Sequence, residues 1–130
     1  MSRRSRILVV SLLAAAAACS DAVAPVAGTL TVSLTTPYGN VDEAVLLVLR
    51  SPTPPASEQA TGTLVLWRDA PPGTMDTLVL TGILGTGPLL TLGVTDVNQV
   101  SHYQAQLVQV AAERSHVLRE LTGYSVAVSK

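Results

Sequence analysis

The chain has 130 residues, of which 48% are apolar and 3% aromatic, with eight basic side chains against nine acidic, no phenylalanine and a single cysteine. Arg3, Arg4 and Arg6 stand at the very start and no acidic residue precedes Asp21, so the remainder is mildly acidic. That balance argues against nucleic acid as a partner, since nucleic acid rewards clustered lysine and arginine. A lone cysteine also excludes an internal disulfide framework.

After the basic start, residues 7–18 form an uncharged, almost wholly apolar run. A run of about a dozen is too short to span a bilayer, which takes roughly 20 residues in a helix. A basic start, a short apolar centre and small residues at the end read as a secretory signal over 1–18, a helix that stays outside the folded domain. Cys19 follows directly on the alanines at 14–18. Ala16-Ala17-Ala18-Cys19 resembles the bacterial lipobox, in which cleavage falls before a lipid-bearing cysteine. That resemblance implies lipidation of Cys19 and a membrane anchor at the cell envelope. The family usually has leucine where this chain has Ala16, so cleavage at an ordinary A-x-A site stays open. In that case Cys19 is a spent part of the leader or a small buried residue. Residues 19–27, with Pro25 among them, read as the lipidated cysteine and a tether.

The rest, 28–130, suits one domain. Its core must be built from Leu, Val and Ala. Over 29–34, Leu30, Val32 and Leu34 alternate with Thr29, Thr31 and Ser33, the period of a half-buried strand. Residues 44–49 are unbroken apolar, which suggests a central strand or one covered on both sides. Further short Leu/Val/Thr runs cover 63–67, 77–80 and 89–94. Over 124–129, Tyr124, Val126 and Val128 alternate with Ser125, Ala127 and Ser129. Turn signals separate the runs at 37–40, 52–55, 71–73 and 85–88, where Pro presets φ and Gly permits positive φ. The expectation is an all-β fold: one small β-sandwich of about seven strands. Leu30, Val32, Leu34, Leu90, Leu92, Val126 and Val128 are the expected core.

Residues 103–121 resist this scheme. Tyr103 to Ala111 reads as a strand bulged near Val108. One or two helical turns are expected over 115–121, with Ser115 as the cap and Gly123 beyond the end. If the whole segment is helical, the fold is α+β instead.

Motifs for chemistry mostly fail on inspection. Gly82, Gly85 and Gly87 have glycine-loop spacing, but Pro88 stands where a phosphate loop needs lysine, and the glycines read as a turn. Gly123-Tyr124-Ser125-Val126-Ala127 superficially matches a nucleophile elbow, yet no acid or histidine follows Ser125. Asp96 and Asn98 open like a calcium loop, but the later oxygen ligands are missing, and an Asx-type turn accounts for them. His102 and His116 are too far apart for a local zinc motif. No cofactor and no metal are implied. Asp42, Glu43, Asp69, Asp76 and Asp96 serve an enzyme only if they converge in one pocket.

Trp67 lies on the strand face opposite Leu64 and Leu66. Tryptophan is highly buried on average, so a packed Trp67 is the expectation. An exposed indole would instead mark a sugar-stacking platform. The 'GTLTVSL', 'AVLLVL' and 'GPLL' strands behind a lipobox resemble small bacterial envelope lipoproteins, and more distantly cohesin-type and immunoglobulin-like sandwiches. The resemblance implies no particular activity. The expected function is a structural or binding module, not an enzyme, anchored to the envelope membrane through lipid and meeting a protein or glycan partner. The alternatives are a soluble secreted carbohydrate binder centred on Trp67 and a small envelope enzyme using loop carboxylates.

Overall fold

A computed structural model describes residues 23–130; the expected signal segment, Cys19 and the first part of the expected tether lie outside the described residues. The described residues form eight strands: β1 (Gly28–Thr35), β2 (Asp42–Arg50), β3 (Ser57–Ala60), β4 (Val65–Trp67), β5 (Met75–Leu84), β6 (Gly87–Val94), β7 (Gln104–Ala112) and β8 (Ser125–Ser129). A short 3-10 helix, Val97–His102, joins β6 to β7. The strands make two four-stranded sheets in the orders β3-β6-β1-β8 and β4-β5-β2-β7. Every pairing is antiparallel. This is the expected all-β sandwich.

The core is aliphatic. Leu30, Val32 and Leu34 of β1 and Leu90 and Leu92 of β6 face Val45, Leu47 and Leu49 of β2 and Leu78 and Leu80 of β5, all fully enclosed. The continuous apolar run belongs to an inner strand, β2, paired to β5 on one side and β7 on the other, with Val45, Leu47 and Leu49 enclosed and Ala44, Leu46 and Val48 half-buried on the outer face. Val126 and Val128 point inward as expected but are only half-buried. They lie on β8, an outermost strand of its sheet, with a neighbour on one side only.

Bulges set which residues face inward. In β6, Leu89 is the extra residue between the partners of Val32 and Ser33, so Leu89 and Leu90 are both buried although adjacent. In β7, Val108 is the extra residue between the partners of Leu46 and Leu47, as its sequence suggested. Ala105 and Leu107 before it and Val110 after it therefore share the inner face. At the start of β2, Glu43 is extra relative to β7, which turns Asp42 inward. A bulge shifts alternation by one residue, so it moves a side chain from one face to the other.

Two expectations need correction. The helix over 115–121 is absent. Arg114 and His116 adopt φ of 66° and 56°, outside the right-handed region a helix requires. Ser115 Oγ accepts from the Val117 N–H at 3.4 Å, the local bond of a cap, but no helix follows. Instead the chain returns extended along the outer edge of β7. Ala112 N–H donates to the Val117 carbonyl at 2.9 Å and Arg119 N–H to the Val110 carbonyl at 2.8 Å. A bridge pairs Ala111 with Leu118. The second correction is β3, a strand of Ser, Glu, Gln and Ala with no apolar alternation, which raises the strand number to eight.

Candidate functional site

The two outer faces of the sandwich differ in chemistry. On the β3-β6-β1-β8 sheet, the register sets Gln59, Thr91, Thr31 and Ser129 in one row across the strands. Ser33 and Ala127 pair in the next. That face is small and hydroxylated. On the other sheet, Trp67, Val79, Leu46 and Gln109 form one row, and Val65, Thr81, Ala44, Ala111 and Leu118 the next. Those two rows hold no charged side chain. Three shallow clefts, of about 210, 300 and 380 Å³, lie across this second face.

Trp67 anchors the middle-sized cleft. The expectation of a packed indole is overturned, because Trp67 is 59% exposed. Its phase relative to Leu64 and Leu66 is as read, but it sits on β4, a three-residue outermost strand, on the solvent side. The indole Nε1 donates to Thr81 Oγ1 at 2.9 Å. Thr81 lies two residues from Val79, the register partner of Trp67, so the ring is tethered across β5. Arg68, Asp69, Thr77 and Val79 complete the cleft. An aromatic surface beside a guanidinium, a carboxylate and a hydroxyl can stack against an apolar ring face and hydrogen-bond to hydroxyls at its rim.

The five carboxylates named from the sequence occupy separate places. Asp69 is exposed beside Trp67. Asp96 caps the 3-10 helix in an Asx-type turn, its Oδ1 accepting from Asn98 N–H at 3.0 Å and Val26 N–H at 3.3 Å. Glu43 accepts from the Arg114 N–H at 3.4 Å and pairs with His116 Nδ1. Asp42 is enclosed, and all of its contacts are structural. Its Oδ1 takes the Arg119 Nε–H at 3.0 Å and its Oδ2 the Tyr124 hydroxyl at 2.7 Å. Arg119 also stacks 4.3 Å above the Tyr38 ring, and Tyr38 tilts against Tyr124. The hydrogen bond to Asp42 holds the Arg119 guanidinium pKa above its ordinary value. Burial, then the bond to Asp42, pushes the Tyr124 phenol upward. Asp76 is enclosed on the opposite side and faces Glu58, a residue the sequence reading did not single out.

No group of three or more His, Cys, Asp or Glu side chains suited to a metal occurs among the described residues. His102 and His116 are both exposed, one before β7 and one after it, and Ser125 points outward. The glycine loop borders a cleft of about 280 Å³ with Asn40 and Thr61, and no basic side chain lines it. Gly82 sits with φ of 136° at the irregular end of β5, so these glycines serve the backbone. Cys19 lies outside the described residues. No known protein family, curated protein or solved structure matches the chain.

Proposed function

We propose that this protein is an exported β-sandwich, lipid-anchored at the cell envelope through Cys19, that acts as a binding module through the outer face of its β4-β5-β2-β7 sheet. The ligand is a neutral glycan stacked on Trp67. The observation that carries this reading is the exposed, tethered indole at the β4 edge of a face whose two central rows are uncharged, with Arg68, Asp69 and Thr77 at its rim. A contiguous exposed apolar patch on a small domain marks an interaction surface. The opposite face carries Thr, Ser, Gln and Ala along its central rows, with no aromatic side chain, and offers no such platform. Export and anchoring rest on the basic start, the short apolar run and the lipobox-like residues before Cys19. The enzyme alternative has less support, because Asp42, Glu43, Asp76 and Asp96 are each engaged in hydrogen bonds of their own and only Asp69 borders the Trp67 cleft.

Titration of the full chain with soluble cell-wall glycan fragments and neutral oligosaccharides tests the proposal, with Trp67, the single tryptophan, as fluorophore. A saturable change in emission is expected. In a pull-down on insoluble cell wall, Trp67→Ala should weaken binding about tenfold or more, the scale of a lost aromatic anchor. Equal binding by the variant would place the ligand elsewhere.

A further inference from the structure

Glu58 and Asp76 come from opposite sheets and meet in the interior. Glu58 pairs in register with Leu92, an enclosed residue of β6, and therefore points inward from β3. Asp76 pairs with the enclosed Leu49 of β2 and points inward from β5. The Glu58 side chain is fully enclosed, and Asp76 is 8% exposed. One oxygen of each is accounted for. Glu58 Oε1 takes the Arg68 Nη1–H at 2.9 Å, and Asp76 Oδ1 takes the Gly73 N–H at 2.7 Å. The other oxygen of each, Glu58 Oε2 and Asp76 Oδ2, is buried with no hydrogen-bond partner among the described residues. Asp76 acts on Glu58 both through its charge and through a side-chain hydrogen bond.

Two ionised carboxylates cannot hydrogen-bond to each other, since both only accept. They also leave a charge unbalanced, because among the described residues Arg68 is the single cation that acts on Glu58, and it is itself partly exposed. A single proton on Glu58 Oε2, donated to Asp76 Oδ2, removes both unpartnered acceptors and the surplus charge together. A divalent ion fits less well: calcium takes roughly six to eight oxygens, and two carboxylates supply too few. We propose that Glu58 and Asp76 share one proton and form an acid-dependent clamp between outermost strand β3 and strand β5 of the opposite sheet, which loosens as that proton is lost.

The groups packed around the clamp are few. Arg68 follows β4, Asp76 lies on β5, and the register partners Leu92 and Leu49 carry no titratable group. Ser51, two residues beyond Leu49, brings a neutral hydroxyl, also buried without a partner. Arg50 and Asp69 are exposed and do not act on Glu58. Burial, then the charge of Asp76, raises the Glu58 pKa above the ordinary 4.5. The folded chain thus keeps a proton that the unfolded chain has released. The resulting stability is complete below pH 4.5 and is lost as pH rises through the raised folded value. Because Arg68 also walls the Trp67 cleft, the clamp and the cleft share a side chain. The clamp itself does not rest on what that cleft binds.

Carbon-detected NMR titration of the Glu58 carboxyl in the full chain tests the clamp directly. Its midpoint should lie above that of an ordinary glutamate. Urea unfolding followed by circular dichroism should show the folding constant of the wild type falling by up to about tenfold per pH unit across that window, the limit for one proton. Glu58→Gln, a permanent neutral mimic, should lack that component. An ordinary or lowered Glu58 midpoint would overturn the proposal, and so would a variant that keeps the full slope. Calcium chloride that stabilises the wild type but not Glu58→Gln would overturn it too, by putting a cation in the proton's place. If Glu58→Gln does not fold, the titration of the wild type decides.

Discussion

The Tyr124 hydroxyl donates to Oδ2 of Asp42 at 2.7 Å, across 82 positions of sequence. The same carboxylate takes Arg119, so one enclosed side chain fastens the whole 113–124 return to the first residue of β2. Asp42→Ala leaves both donors without their acceptor and should lower stability by about 3 kcal/mol, the low end for breaking a buried pair, because Arg119 is partly exposed and water reaches it. Tyr124→Phe should lower it by about 1.5 kcal/mol, the scale of one hydrogen bond to a charged group. Urea denaturation at neutral pH measures both. Since the Tyr124 phenol is shifted upward, the wild type should also lose stability as pH rises from 10, and Tyr124→Phe should not share that loss.

Position within the sheet should separate two apolar truncations. Leu92 is fully enclosed, so Leu92→Ala should cost about 2–5 kcal/mol. Val128 is half-buried on an outermost strand, and Val128→Ala should cost about 1 kcal/mol. Equal losses in thermal unfolding would mean that β8 is covered as deeply as β6.

Gly82 allows a direct test of the irregularity in β5. Its φ of 136° suits glycine, and a Cβ there would meet Leu64 Cδ2 at 2.9 Å. Gly82→Ala should therefore cost about 1–3 kcal/mol. Gly39→Ala, in open space and without a positive φ, serves as the control and should change stability by less than about 0.5 kcal/mol.

Cys19→Ser keeps the size of the side chain and removes the thiol that the proposed lipidation requires. The wild type should partition with membranes, and its N-terminal peptide should be heavy and blocked in mass spectrometry. The variant should leave the membrane fraction or accumulate uncut. A wild-type mature chain that starts after Cys19, or carries it unmodified, would replace the anchored reading with a soluble secreted one.

The strand scheme was legible wherever alternation runs unbroken, as at Leu30, Val32 and Leu34. It was also legible at Val108, where two competing periods pointed to a bulge. It failed where side chains carry no periodic signal. β3 holds only Ser, Glu, Gln and Ala, so neither the strand nor the inward aim of Glu58 could be read. Asp42 and Glu43 look equivalent in sequence, and only the bulge at Glu43 decides that Asp42 is enclosed. The phase of Trp67 was readable from Leu64 and Leu66, but which face meets solvent depends on β4 lying outermost in its sheet. That placement comes from long-range pairing, which local pattern does not encode. The 115–121 segment has helix-tolerant composition, and its backbone was instead taken by hydrogen bonds to β7.

The tether joins the domain at Gly28, the first residue of β1, and β1 is held between β6 and β8. Antiparallel ladder bonds run perpendicular to their strands. A pull on the residues ahead of Gly28 therefore acts along β1 and loads the bonds to both neighbours in shear, all at once rather than one after another. If the chain is anchored through Cys19 as proposed, attachment by the end of an inner strand would resist the domain being torn away. Had the attachment run through β8, the same force would peel an outermost strand bond by bond.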